Sequence, residues 1–204
     1  MPKARRISEV AAQRIAWWRN QRNLTVEQLV QRVAALGEDL PRVTITKIEN
    51  GQRGISLDEG FLLAAALNVP PPLLFLPLES GEHVAVTPKS IIHPDLAYRW
   101  LTGEGPLAST MRGTMGLHEW LEASRTPRLY EQLHEAHDRA ERAHGKLVEA
   151  VYIDDDDAIR RARKNLVAPL RAYAAVLEEM RTEGLNPPAL PTEWDKELRG
   201  MEGR

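Results

Sequence analysis

The sequence predicts an all-α protein: a five-helix N-terminal bundle followed by a C-terminal antiparallel helical hairpin. Three observations lead there. Apolar residues in the first third recur at helical spacings between capping signals. Two heptad stripes run through the last third. Gly, Pro, Ser and Thr are concentrated between the two, where connecting structure is expected. The expected boundaries are 1–78 for the bundle, 79–116 for a connecting region, and 117–204 for the hairpin with a Pro-rich tail.

The elements follow in chain order. Ala11, Ile15 and Trp18, spaced i, i+4, i+7, define a first helix from Ser8 to about Arg22. Thr25 caps the second, with Gln28 three residues on in capping-box position and Val26, Leu29, Val30 and Val33 behind it. Gly37 ends that helix, and Pro41 opens a third at 42–49. The third helix turns Ile45 and Ile48 inward and stops at Asn50-Gly51. Ser56 and Glu59 form a second capping box. The helix after it is expected to bury Phe61, Leu62, Ala65 and Ala66, and Asn68-Val69-Pro70 breaks it. A short fifth helix at 71–76 closes the bundle.

The connecting region reads as one extended segment, 84–87, and one short helix, 94–101. Beyond it, Leu129, Leu133, Ala136, Ala140, Ala143, Leu147 and Ala150 form the first stripe, and Ile159, Ala162, Leu166, Leu170, Tyr173, Leu177 and Met180 the second. Four consecutive aspartates, 154–157, lie between them, where carboxylates suit the positive end of a following helix. Two antiparallel helices joined near this run are the simplest layout; one long bent helix is the alternative. Gly184-Leu185-Asn186-Pro187-Pro188 ends the second helix, and Trp194 is a candidate anchor for the charged tail.

Bulk properties bound the function. The 204 residues carry a net charge of −2 and no cysteine, which excludes disulfides, thiolate metal sites and cysteine nucleophiles. The longest apolar run, 61–67, is far too short to span a bilayer. The basic start MPKARRISEV has no apolar signal region behind it, so a cytoplasmic location without membrane association is expected. The charge is unevenly placed. Residues 1–55 hold ten Lys and Arg against five Asp and Glu, while the rest hold 17 against 24. A basic head on an acidic body can present a phosphate-attracting face.

Several spaced pieces of the basic head agree with one pattern: Arg14-Ile15 with Trp18-Arg19, Leu24-Thr25-x-Glu27-x-Leu29, Thr44-Ile45-Thr46-Lys47-Ile48-Glu49-Asn50-Gly51-x-Arg53, and Leu63-Ala64-x-Ala66-Leu67-x-Val69. With them, residues 14–77 resemble the Cro and phage-repressor (Xre) helix-turn-helix family of transcriptional regulators, with its lambda-repressor-like fold. The resemblance covers about a third of the chain. It implies a third helix that reads DNA and an ion pair between Arg19 and Glu49 that clamps the first helix to it. Two features depart from the family: Val26 stands where Gln is frequent, and 34–40 is longer than the usual turn before the recognition helix.

A recognition helix buries one face and offers the other to a major groove about 12 Å wide. With Ile45 and Ile48 inward, Arg42, Val43, Thr46 and Lys47 face out. Arg42 and Lys47 can donate to guanine, and Val43 can pack on a thymine methyl; these three are the expected base contacts. Thr25, Thr44, Thr46, Asn50, Gln52 and Arg53, with the main-chain amides at Asn50-Gly51, are the expected phosphate contacts. The expected partners are double-stranded DNA and a second copy of the chain, because such proteins read two half-sites.

Other readings stay open at this level. The bundle can serve protein contacts alone. The stripes can dimerise, hold a protein partner as an antitoxin does, or pack on each other. His137, Glu141 and His144 share one helical side, and a metal- or ligand-responsive sensor would use such a face, although a solvated face is the commoner outcome and no metal site is assigned. No catalytic set and no cofactor-binding motif are present, so no enzymatic activity and no cofactor are expected.

Overall fold

Four helices of this chain, those starting at Val26, Leu57, Pro94 and Asp156, begin where a side chain accepts from the unpaired amides of the first turn. The computed structural model describes residues 5–110 and 113–202, and the chain divides into two units, Met1–Trp120 and Leu121–Arg204. In the first unit α1 (Ile7–Gln21), α2 (Val26–Ala35), α3 (Arg42–Glu49), α4 (Leu57–Leu67) and α5 (Pro72–Phe75) form the bundle. Thr25 Oγ1 accepts from the Gln28 amide at 3.2 Å, and Gln28 Oε1 accepts from the Thr25 amide at 2.8 Å. Ser56 and Glu59 make the same reciprocal pair at 3.1 and 2.9 Å. Both boxes set where α2 and α4 start.

Ile15, Leu29, Val33, Ile45, Ile48, Leu63, Leu67 and Leu74 are fully buried in one core. The far end of α4 is closed by arginines. Arg22 donates to the Leu67 and Asn68 carbonyls at 3.1 and 3.0 Å, and Arg32 to the Ala66 carbonyl at 3.3 Å. Cations suit this negative helix end and its free carbonyls. Two arginines of the basic head therefore serve the fold.

The buried side of α4 differs from the expected one. Gly60, Leu63, Ala64, Ala66 and Leu67 face the core, Leu62 is half-buried, Ala65 is exposed and Phe61 is 53% exposed. The run 61–67 is apolar all round, so no polar face marks which side turns outward.

Residues 79–110 are more than a connection. A small sheet of order β1-β2-β3 joins β1 (Arg5–Arg6), β2 (Val84–Thr87) and β3 (Ser90–Ile92). β1 runs parallel to β2, with Arg5 opposite Val84, and β3 runs antiparallel to it, with Val84 opposite Ile92. The sequence reading anticipated β2 alone. α6 (Pro94–Leu101) follows, and Val84 and Ala97 share a second small core with Val10 and Leu76. That core ties the region to α1 and explains why it groups with the bundle.

After α7 (Gly113–Ala123), the second unit holds α8 (Arg125–Tyr152) and α9 (Asp156–Thr182). Arg125 at the start of α8 pairs with Glu183 beyond the end of α9 at 2.5 Å, so the helices run antiparallel and the single-helix alternative is excluded. Asp154 takes a left-handed φ of 56° in the turn, and Asp155 Oδ1 caps α9 by accepting from the Asp157 and Ala158 amides at 3.0 and 2.9 Å. The two stripes meet inside this hairpin, Leu129, Leu133, Ala136, Ala140 and Leu147 packing with Leu166, Leu170, Tyr173, Leu177 and Met180. The tail is not merely Pro-rich. It forms α10 (Thr192–Glu202), whose Trp194 and Leu198 complete the same core. Among the described residues, no helix is long and apolar enough to cross a membrane.

Candidate nucleic-acid interface

The clamp between α1 and α3 is the best-buried ionic feature of the first unit. Arg19 Nε donates to Glu49 Oε1 at 2.7 Å and Arg19 Nη2 to Glu49 Oε2 at 2.9 Å, with side chains only 15% and 8% exposed. The remaining nitrogen, Nη1, donates to the Leu24 carbonyl at 2.8 Å and to Asn20 Oδ1 at 3.0 Å. The hydrogen bonds and charge of Glu49 hold the guanidinium above its ordinary value, against the opposing effect of burial. One guanidinium thus fixes α1, the turn before α2, and the end of α3. Its planar fork suits two parallel bonds to a carboxylate.

With Ile45 and Ile48 buried and Glu49 clamped, the rotation of α3 about its axis is set. Arg42, Val43, Lys47 and Asn50 are then exposed, while Thr44 and Thr46 are half-buried on its flanks. Val43 is 58% exposed, high for a valine on a short helix. Thr25, Gln52 and Arg53 are also exposed, at the start of α2 and in the turn after α3. The Thr25 hydroxyl accepts within its capping box, which leaves its proton to donate outward.

Two carboxylates missed by the sequence reading stand beside these cations. Arg42 pairs with Glu27 of α2 at 3.1 Å, both side chains more than half exposed. Arg53 pairs with Glu59 at 2.7 Å. Burial pushes the Glu59 carboxyl up, but the Ser56 amide and Arg53 outweigh it and hold it below the usual range. Among the described residues, Lys47 has no such partner. Glu59 was legible as a capping residue; nothing in the local sequence signals its second role.

One expectation is corrected. The main-chain amides after α3 do not point free. Asn50 donates to the Thr46 carbonyl at 3.1 Å, Gly51 to Ile48 at 2.9 Å, and Gln52 to Lys47 at 2.9 Å. They close the C-terminus of α3, so a phosphate there must meet the Asn50 and Gln52 side chains instead.

The histidine face of α8 is organised around packing. The His137 ring lies 5.2 Å from Trp194 and 5.7 Å from Tyr173, and His144 lies 6.4 Å from Trp194. The ligating atoms gathered within 4.8 Å are those of His137, Asp138 and Glu141, whereas the sequence placed His137, Glu141 and His144 on one helical side. Asp138 and Glu141 are exposed surface carboxylates.

A family model described as helix-turn-helix matches residues 15–74, which contain both helices of the motif, the clamp, and every contact residue named above. No curated protein and no solved structure shows a significant match to the chain. The matched segment, the clamp and the rotation of α3 agree, and the chain carries a Cro/C1-type, Xre-like helix-turn-helix DNA-binding domain, the mark of a transcriptional regulator.

Proposed function

We propose that this protein is a sequence-specific transcriptional repressor that acts as a dimer on two DNA half-sites in the cytoplasm. The observation that carries the reading is the solvent side of α3, where Arg42, Val43 and Lys47 stand together while Ile45, Ile48 and Glu49 are turned in. Arg42 and Lys47 donate to guanine edges and Val43 packs on a thymine methyl. Thr25, Thr44, Thr46, Asn50, Gln52 and Arg53 meet the sugar-phosphate backbone and fix the register.

Binding exchanges partners for two of these cations. Arg42 leaves Glu27 and Arg53 leaves Glu59 for the DNA. Exposed ion pairs contribute only about 0–1 kcal/mol, so the exchange at Arg42 costs little. Among the described residues Lys47 has no carboxylate to leave, and it is the cation on which affinity most depends. Selection of bound duplexes from a random library tests the reading. Enriched sequences should be paired half-sites about 10 base pairs apart, or a multiple of that. A pool with no enriched sequence contradicts it.

One observation favours a second reading, an antitoxin-type protein that holds a partner through its C-terminal helices. Val148, Val151, Tyr152 and Ile153 are all more than half exposed at the tip of the α8–α9 hairpin, with Tyr152 at 90%. Clustered exposed apolar residues commonly mark a protein contact. A stoichiometric partner lost on Tyr152→Ser supports that reading, and a partner retained by this variant opposes it.

A further inference from the structure

Phe61 and Leu57, exposed on α4, form one wall of a cavity of about 650 Å³ within the first unit. Phe75 of α5 and Trp100 and Leu101 of α6 line it too. We infer that this cavity is a binding site for a small, uncharged, aromatic molecule carrying at most one hydrogen-bond donor.

Size suits a small molecule. The cavity volume falls in the range of about 300–1,000 Å³ typical of small-molecule pockets. The lining selects the chemistry. No charged side chain is among the described lining residues, so an ionised group would be desolvated without a partner. Three aromatic rings, of Phe61, Phe75 and Trp100, offer faces and edges to a flat ligand.

Among the described lining residues Thr102 carries the one hydroxyl, and its proton is already engaged. Its hydroxyl donates to Glu104 Oε1 at 2.6 Å and lies 3.1 Å from the Tyr98 carbonyl. What the oxygen has left is acceptor capacity only, which matches a donor on the ligand. A Cβ at Gly60 would lie 2.9 Å from Phe75 Cζ, so the ring packs directly on the glycine and a side chain there would displace it.

The test uses N-phenyl-1-naphthylamine, a neutral aromatic with a single N–H, titrated into the full-length protein and read by its fluorescence. Saturable one-to-one binding is expected. Phe61→Glu and Leu101→Glu, both at positions 53% exposed, should each weaken it about tenfold or more without unfolding the chain. Leu36→Glu, at 51% exposure and outside the lining, should leave it unchanged. The sulfonated probe 8-anilinonaphthalene-1-sulfonate should bind about tenfold more weakly than the neutral one. Absence of saturable binding overturns the inference, as does wild-type affinity in both glutamate variants or equal affinity for the sulfonate. A dimer that excludes the probe and dissolves on Phe61→Glu also overturns it and identifies a second copy as the occupant. The fluorescence readout involves no DNA, so its result is independent of the regulator reading.

Discussion

Glu49→Gln is the sharpest probe of how the first unit is held together. The substitution keeps the shape of the side chain and one acceptor oxygen, and removes the charge and one of two bonds to Arg19. Stranding one member of a buried ion pair costs about 3–5 kcal/mol. Arg19 keeps the Leu24 carbonyl and Asn20 Oδ1, and its side chain is 15% exposed, so water offsets part of the loss. The expected cost is about 2–3 kcal/mol. Hydrogen exchange read on peptides within 15–74 reports this unit without interference from the other. Protection of the slowest amides should fall about 30- to 150-fold. The double variant Arg19→Met/Glu49→Leu should recover most of that protection, because an apolar pair of similar size replaces a buried ion pair at little cost. A fall of less than about fivefold, well under 2 kcal/mol, refutes the reasoning. A double variant no better than Glu49→Gln refutes it too.

Two further outcomes follow from the second unit. Trp194→Ala should destabilise it by about 3–5 kcal/mol, since the indole is 5% exposed and packs against Tyr173 at 5.3 Å; urea denaturation followed by helical circular dichroism checks this, and a loss under 1 kcal/mol would show that α10 is not docked. The Asp155 carboxylate accepts from the amides of Ala158 and Asp157, which holds it below the usual aspartate value. A depressed carboxyl stabilises above its unfolded pKa of about 3.9 and loses that contribution as pH falls through its lower folded value. Protection of the Asp157 and Ala158 amides, taken relative to the intrinsic exchange rate at each pH, should accordingly fall only below about pH 3.9, and a fall in protection near neutral pH would contradict the cap.

Much of the fold was legible because its signals are local. Thr25 with Gln28 and Ser56 with Glu59 place helix starts to the residue, since a capping box needs only side chains three positions apart. The bounds of α6, with Pro94 in its first turn, were readable for the same reason. Both heptad stripes were visible, and so was the clamp, through family resemblance. What the sequence hid depends on distant partners. β1 and β3 are two and three residues long, too short for a period, and exist only because each finds β2. α10 follows Pro191 in a charged tail, and it is the buried Trp194 and Leu198 that hold it. The Arg42–Glu27 and Arg53–Glu59 pairs depend on how α2, α3 and α4 are set against one another. Phe61 was misplaced because the run 61–67 is apolar all round, and that error marked the wall of a cavity.

DNA binding through the exposed side of α3 is tested most directly by titrating a selected duplex against wild type and Lys47→Ala across a range of salt concentrations, read by fluorescence anisotropy. Wild-type affinity should fall linearly on a double-logarithmic plot as salt rises, the signature of counterions released from phosphates. Lys47→Ala should bind about 1–3 kcal/mol more weakly and lose preference at one base pair of the site. Salt-independent binding, or a Lys47→Ala variant with the affinity and preference of wild type, would contradict the account.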